Sequence, residues 1–343
     1  MAVTIKDIAT KLNISVSTVS YALNGGPRPV PEAVRERVLE AARELNYRPN
    51  RVARSMITGR SHTIGVVPPG ITHNVFLSPY LQHALSGVAN AANDLHQDLI
   101  IFTRFEAADT EAMLGYLLDG RVDGAIFIAP SLSEDATRQL AASGLPCVCV
   151  SIAPHDGMPS FSPDNEGGMR LVMEHLFALG HRRFAHIAGR PEMDDAIARR
   201  GAFEAFLRSK GVPCPPESIV NGDFTMEGGA LAMAELLRRG SGATAIVCAN
   251  DEMAVGVLHT VQAAGLRVPE DISITGFDMS PYSGIVQPPI TTVSQPVIEI
   301  AAAATSALVA LVQGQETPAS RVFPTELVVR ASTARPQEDL LIP

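Results

Sequence analysis

Cysteine is scarce in this chain. The four present are Cys147, Cys149, Cys214 and Cys248. Cys147 and Cys149 alternate along one face of an apolar run, and Cys248 sits in another such run. The pattern reads as buried free thiols of a cytosolic protein rather than a redox or metal site. The nine histidines are scattered without metal-ligand spacing. His181, for instance, occupies a turn between a helical and an extended stretch. No phosphate-cradling glycine loop, G-x-S-x-G elbow or pair of catalytic carboxylates is visible, so an enzyme is not expected and no metal or cofactor is implied. No apolar run reaches membrane length and no secretory signal opens the chain. It begins at once with what reads as a folded module, and the expected location is the cytoplasm. The tail 336–343 has no heptad pattern to support a coiled-coil tetramer.

What the chain does have is concentrated in its first sixty residues. Ile5, Ile8, Ala9 and Leu12 recur at helical spacing. Asn13 follows where the chain must turn, and Asn tolerates the left-handed conformation such a turn needs. Ser15 can cap a second helix, in which Val19, Ala22 and Leu23 face inward and Val16, Ser17, Ser20 and Tyr21 face out. Two short helices joined this tightly match a helix-turn-helix, whose second helix lies in the DNA major groove. Pro31 opens a third helix, with Val34, Val38, Ala41 and Leu45 on its apolar face and Arg35, Arg37 and Glu40 opposite. A core this small is marginally stable by itself. A short helix from Asn50 to about Ile57, ending near Gly59, is expected next. It has nothing of its own to pack on and needs a twin from a second subunit, or DNA, to persist. An ordinary linker is the alternative.

Charge divides the same way. Residues 1–60 carry ten basic and five acidic side chains, net +5, whereas the remainder carries 17 basic and 31 acidic, net −14. A positive head on a negative body suits phosphate contact by the head alone.

The stretches VTIKDIATKLNISVSTVSYALNG, VLEAARELNYRPNRVARSM and TIGVV resemble the headpiece, hinge and first body strand of the LacI/GalR family of bacterial transcription regulators, and the resemblance extends over nearly the full length. It implies a helix-turn-helix headpiece at 1–46 and a hinge helix or linker at 47–60. A two-lobed α/β core like that of periplasmic binding proteins follows at 61–335, then the tail. By the same resemblance, DNA contacts fall to Thr4, Val16, Ser17, Ser20, Tyr21 and Asn24 in the headpiece and to Asn50, Arg51, Ala53 and Met56 in the hinge. Tyr21 stands where many members place an arginine on guanine. Tyrosine offers one hydrogen bond or an apolar face but not the bidentate guanine pair, so the half-site should depart from the commonest family sequence. Met56 stands where a leucine usually wedges into the minor groove. Its similar volume should preserve the wedge. The plain alternatives are a phosphate contact for Tyr21 and packing on a twin for Met56.

Beyond Thr63, apolar strand-like runs alternate with helical ones. Strands are expected at 63–67, 99–103, 124–129, 146–151, 183–188, 243–249 and 272–277. Helices are expected near 79–96, 109–119, 133–143, 165–179, 195–210, 226–238, 252–264 and 297–312. Runs such as Ala125–Ala129 suit parallel strands buried on both faces, and so long a stretch calls for two α/β domains. The resemblance adds three crossings between lobes, near 161–162, 291–292 and 324. The first lobe is then about 61–161 and 293–323, the second about 162–291 and 325–335.

Polar residues ending buried strands are the ligand candidates, since ligands of such sheets bind at the strands' carboxyl ends. Asn250 and Asp278 are of this kind, although either can instead serve its own backbone, Asn250 by starting the helix at Asp251 and Asp278 by capping a turn. The resemblance adds Arg199, with Arg200 as a weaker neighbour, Phe224 as an aromatic packing on the ligand, and Gln295 from a crossover. Arg beside Asp and Asn grips neighbouring hydroxyls through paired hydrogen bonds. The first lobe departs from the sugar-binding pattern. Ser151 stands where many members carry an aspartate, and Ile128 and Pro69 end other strands. An apolar first wall argues against a simple hexose.

The expected function is a homodimeric, ligand-responsive regulator, more often a repressor in this family, with operator DNA and a sugar, nucleoside or related metabolite as partners and no membrane. A solute-binding protein and an enzyme on a Rossmann-like sheet are the rivals. The headpiece and the missing export signal weigh against the first. The missing cofactor fingerprint and catalytic cluster weigh against the second.

Overall fold

A computed structural model describes residues 3–25, 28–48, 59–69, 75–103, 110–130, 133–152, 158–316 and 319–337. They fall into two units, 1–62 and 63–343.

The first unit holds three helices, α1 (Ile5–Leu12), α2 (Val16–Asn24) and α3 (Glu32–Glu44). Asn13 ends α1 at φ 50, ψ 48 in the left-handed region, the conformation in which Asn is tolerated. Ser15 Oγ accepts the Thr18 amide at 3.0 Å and so caps α2. Thr4 caps the other end of α1. Its amide and its hydroxyl both donate to Asp7 Oδ2 at 2.8 Å, and these bonds hold the Asp7 carboxyl below its usual range. The core is Ile8, Val19 and Val38, fully buried, with Ala9, Ala22 and Ala41. Lys11 on α1 pairs with Glu44 on α3. Ser20 corrects the expectation that it faces out: it is 8% exposed. At 100° per residue it lies beside the Val19–Leu23 stripe, and its small side chain is covered by that stripe's packing. The helix expected from Asn50 to Ile57, and with it Asn50, Arg51, Ala53 and Met56, lies outside the described residues.

In the second unit, β1 (Thr63–Val67), β2 (Asp98–Ile101), β3 (Gly124–Ile128), β4 (Cys147–Val150), β5 (Ser160–Pro163) and β11 (Arg321–Phe323) form one sheet in the order β11-β5-β4-β3-β1-β2. Every pairing in it is parallel. Helices α4 (Pro79–Asp94), α5 (Thr110–Leu117), α6 (Glu134–Ala142) and α12 (Val297–Val312) accompany it. Leu81, Ala84 and Val88 of α4 and Ile300, Ala304 and Leu308 of α12 share one core with Ile64, Ile126 and Val148. The second sheet is β7-β6-β8-β9, again parallel, from β6 (Phe184–Ala188), β7 (Ile219–Asn221), β8 (Ala245–Cys248) and β9 (Ser273–Thr275). Helices α7 (Asn165–Ala178), α8 (Asp194–Ser209), α9 (Met226–Arg239), α10 (Asp251–Ala263) and α11 (Pro281–Ile285) belong to it. Strands β10 (Thr292–Ser294) and β12 (Glu326–Val328) pair antiparallel. Single bridges from Thr275 to Thr291 and from Asp278 to Ser294 tie this pair to the second sheet.

The chain therefore passes between sheets at 163–165, 294–297 and 323–326. The first two lie downstream of the expected points. Phe161 and Ser162 are still paired with Arg321 and Val322 in the first sheet, and Thr292 still pairs with Val328. Strands β5, β7, β10, β11 and β12 were not expected. They lie at the crossovers or a sheet edge, and a pairing partner elsewhere in the chain rather than an apolar run makes them strands. Cys147, Cys149 and Cys248 are buried and free, and burial pushes the Cys147 thiol up to about 12. Among the described residues, no helix is long and apolar enough to cross a membrane.

His181, at the turn before β6, fastens the C-terminal segment. Its Nδ1 meets Thr244 Oγ1 at 2.8 Å, and its Nε2 meets Ala334 O at 2.9 Å and Ser273 Oγ at 3.1 Å. Burial lowers its pKa to about 4. Buried His186, stacked on Phe203 at 4.9 Å, is likewise lowered to about 4. An unfolded histidine takes up its proton near pH 6.5. The unfolded chain therefore binds protons first, and stability is full above about pH 6.5 and drains as pH falls toward the folded values. Urea unfolding between pH 7 and 4 should show this loss, and His181→Gln should flatten its slope. An unchanged slope would mean that His181 is not among its sources.

Candidate functional site: nucleic-acid interface and interlobe cleft

On the headpiece, Ser17, Tyr21 and Asn24 fall at helical spacing on one face of α2. Val16 is 38% exposed beside Ser17, Tyr21 and Asn24 are half-buried, and Thr4 is exposed at the start of α1. Lys6, Arg28, Arg35, Arg37, Arg43 and Arg48 are all exposed. Ser20 is withdrawn from this face. The remaining residues offer one polar and one aromatic hydroxyl, an amide and an apolar edge, inside a unit whose exposed charge is mostly positive.

In the body, a cavity of about 60 Å³ opens where the two sheets' carboxyl ends face each other. The first lobe contributes Pro69, Ser78, Tyr80, Leu81 and Ala129. The second contributes Met193, Asp195, Arg199, Phe224, Asn250 and Asp278. Four of the residues around it hold positive φ without being glycine: Ala129 (41°), Ser151 (57°), Phe224 (69°) and Asp278 (104°). Each follows the end of a strand, where the backbone turns away from the sheet. Such conformations cost of order 1–3 kcal/mol each and gather at functional sites. Gly189 matters here because a Cβ would come within 2.0 Å of the Phe224 ring. Only glycine lets that ring lie against the end of β6. Phe224 then packs with Ala129, Met193 and Ala196, joining the lobes through apolar contact.

Arg199 is the centre of the polar part. It projects from α8, is 2% exposed, and its guanidinium carbon stands over the Phe277 ring, 3.8 Å from the ring centre. Its Nε donates to Asn165 Oδ1 at 2.8 Å and its Nη1 to the Ala249 carbonyl at 2.6 Å. The carboxylates are looser partners, Asp278 at 3.4 Å and Asp195 at 4.0 Å. Asn165 Nδ2 donates to Asp195 at 2.7 Å, and Gln295 Nε2 donates to Asp278 at 2.5 Å. From the first lobe, Tyr80 Oη donates to Ser151 Oγ at 2.5 Å, and the Ser151 hydroxyl works against burial to lower the Asp195 carboxyl. One chain of hydrogen bonds thus runs from Asp195 through Asn165, Arg199 and Asp278 to Gln295 at the last crossover.

Burial raises the carboxyls of Asp195 and Asp278 above their usual range, and Arg199 only partly opposes it. Behind them lie two more acids. Asp251, pushed up to about 6 by burial, accepts the Thr292 hydroxyl and the Ser280 amide and so pins the crossover to α10. Glu252, raised by burial, accepts Asn250 Nδ2 at 2.9 Å. Asn250 also caps α10, its Oδ1 accepting the Met253 amide at 3.0 Å, and its Nδ2 donates to the Phe224 carbonyl. The helix-starting alternative for Asn250 is therefore realised, whereas Asp278 caps no turn among the hydrogen bonds described.

Comparison with known proteins follows the same division. Residues 4–50 match the bacterial regulatory proteins of the lacI family, and 173–333 match the periplasmic binding protein-like domain. The chain is 34% identical over 335 residues to the HTH-type transcriptional repressor CytR of Escherichia coli strain K12, covering 97% of this chain and 96% of that one. The chain belongs to the LacI family. The fold of the Lac repressor dimer bound to operator and the anti-inducer ONPF superposes with TM-score 0.84 at 29% identity, covering 97% of this chain and all of the other. A complex of the transcriptional regulator CelR with cellobiose gives TM-score 0.75 at 30% identity, covering 96% and 99%. This LacI-family chain is thus a transcriptional regulator with a helix-turn-helix head and a two-lobed α/β body.

Of the expected cleft residues, Arg199, Asn250, Asp278 and Phe224 line one cavity. Gln295 stands outside that lining and touches it through Asp278. Arg200 points elsewhere, pairing with Glu204 at 2.9 Å. Ile128 is wholly buried, and its neighbour Ala129 takes the strand-end place. Sequence reasoning missed Tyr80, Asp195, Asn165 and Met193. Asp195 had a signal, since it lies four residues before Arg199 on the same helix face. Tyr80 had none, because nothing near it in the chain announces that a helix start lines a cavity with the other lobe's aspartates.

Removing the guanidinium leaves buried carboxyls without a cation. Arg199→Ala should cost about 3–5 kcal/mol, read as a lower urea midpoint of the body. A loss below about 1 kcal/mol would show that Arg199 is not the anchor of this network.

Proposed function

We propose that this regulator is a repressor that binds a near-palindromic operator as a homodimer and is switched by a small molecule held between its lobes. The observation that carries the reading is a polar network and a cavity built from both lobes at their strands' carboxyl ends, on a chain headed by a basic helix-turn-helix. Relatives support it by what they are. CytR is named a repressor, one structural neighbour is a dimer on operator DNA with an anti-inducer, and another holds cellobiose.

In this reading Val16, Ser17, Tyr21 and Asn24 meet base edges, Thr4 meets the backbone, and the hinge residues Asn50, Arg51, Ala53 and Met56 enter the central minor groove. Arg199, Asp278 and Asn250 hold the effector's polar groups, Phe224 its apolar face, and Gln295 steadies Asp278. Tyr80 and Asp195 join this set. The effector changes the spacing of the lobes because Tyr80, Ser151 and Ala129 belong to one and Asp195, Arg199 and Phe224 to the other. Coupling of this kind amounts to a difference in affinity between two states, typically about 1–3 kcal/mol. The protein works in the cytoplasm and performs no turnover.

Two outcomes test the reading. Tyr21→Ala should alter base preference in selection from a random duplex library more than it lowers overall affinity, because a lone hydroxyl and ring read one position. A uniform loss would reduce Tyr21 to a backbone contact. Asp278→Ala should abolish the effector's influence on operator release while the effector-free protein still binds operator in a gel-shift titration. An effector response equal to that of the parent protein would remove Asp278 from the site.

A further inference from the structure

The balance of charge in the cleft is uneven. Among the described residues lining it, Arg199 is the only cation, against two aspartates, Asp195 and Asp278. Arg199 directs its short hydrogen bonds to neutral partners, Asn165 and the Ala249 carbonyl. It stands 3.4 and 4.0 Å from the carboxylates. Asp251 and Glu252 add negative potential behind Asp278.

A second feature points the same way. Gln295, 7% exposed, donates its Nε2 to Asp278, and its Oε1 is buried without a partner. Reversing the amide would set oxygen against carboxylate, so the orphan is an acceptor. Asp278 also borders an adjoining groove that Gln295 and Ser294 line. The capacity left open around Asp278 therefore calls for donors and for positive charge. The other walls, Tyr80, Leu81, Met193 and Phe224, suit a small apolar or aromatic frame.

Resting on the cleft as the effector site, the geometry points to an effector that carries a protonated amine, seated between Asp195 and Asp278 with its carbon frame against Phe224 and Met193. The ammonium supplies the charge that Arg199 alone does not, and its three donors satisfy carboxylate lone pairs that the protein leaves open. A neutral sugar or nucleoside leaves one carboxyl to be neutralised by a proton instead. The raised carboxyls of Asp195 and Asp278 agree with such a deficit in the protein by itself.

The test uses the full-length protein and matched probes, tyramine against 4-ethylphenol and D-glucosamine against D-glucose, by calorimetry and thermal shift at millimolar concentration. At least one ammonium probe should bind about tenfold or more tighter than its neutral twin, the scale of a charge-assisted bond. Asp195→Asn should erase that preference. With no probe present, Asp195→Asn should melt higher than the parent, because it relieves two carboxylates sharing one guanidinium. A lower melting point for that variant overturns the proposal, as does silence from both ammonium probes. Neutral twins that bind equally well and lose binding in Asp278→Ala overturn the amine assignment and keep the cleft as the effector site. A probe whose affinity neither substitution alters sits elsewhere and overturns both readings.

Discussion

A guanidinium buried in protein must be paired and hydrogen-bonded or the fold does not keep it. Arg199 meets that demand with groups from widely separated parts of the chain. Asn165 stands at the end of the first crossing, Ala249 follows β8, Asp278 follows β9, and Phe277 lies beneath the guanidinium as an aromatic floor. Because Arg199 needs all of them at once, it sets the register of the strand ends around it. The crossovers are held by the same network, through Gln295 on Asp278 and Thr292 on Asp251. The first lobe faces it across the cavity with Tyr80, itself bonded to Ser151.

The headpiece is governed by its small size instead. Its core is a handful of alanine, valine and isoleucine side chains, and much of its definition comes from helix ends: Thr4 with Asp7, the left-handed Asn13, and the Ser15 cap. The capping bonds join residues three apart in the chain, which is why the amino-acid order displays the turn and the Ser15 cap directly. Ser20 shows the limit. Helical spacing places it near the boundary between faces, and only packing decides that the Val19–Leu23 stripe covers it.

Much of the body is legible for the same reason. Apolar runs and helical spacing mark eight helices and seven strands, and the structure has elements at each place. The strands that escape notice are the short ones at the crossovers and sheet edges. There the pairing partner lies far along the chain, as with Phe161 and Arg321. Arg199, Asn250, Asp278 and Phe224 stand out as strand-end or helix-start residues in a recognisable pattern, and they do converge. Tyr80 lines the cleft and Asn165 holds Arg199 and Asp195 without any local mark, because what gives them a role is a partner distant in the chain.

The amino-acid order by itself settled the division into a basic helical head and an acidic α/β body, the strand and helix succession, and the family. These follow from short-range spacing, capping chemistry and net charge, which need no knowledge of distant contacts. Only the folded chain decided which carboxylates share one guanidinium, that Asn250 commits its side chain to capping, and that Gln295 is left with an unpartnered oxygen. Those outcomes depend on burial and on angstrom-scale distances between segments more than a hundred residues apart, such as Tyr80 and Asp278 around one cavity, and a linear pattern carries no such distances.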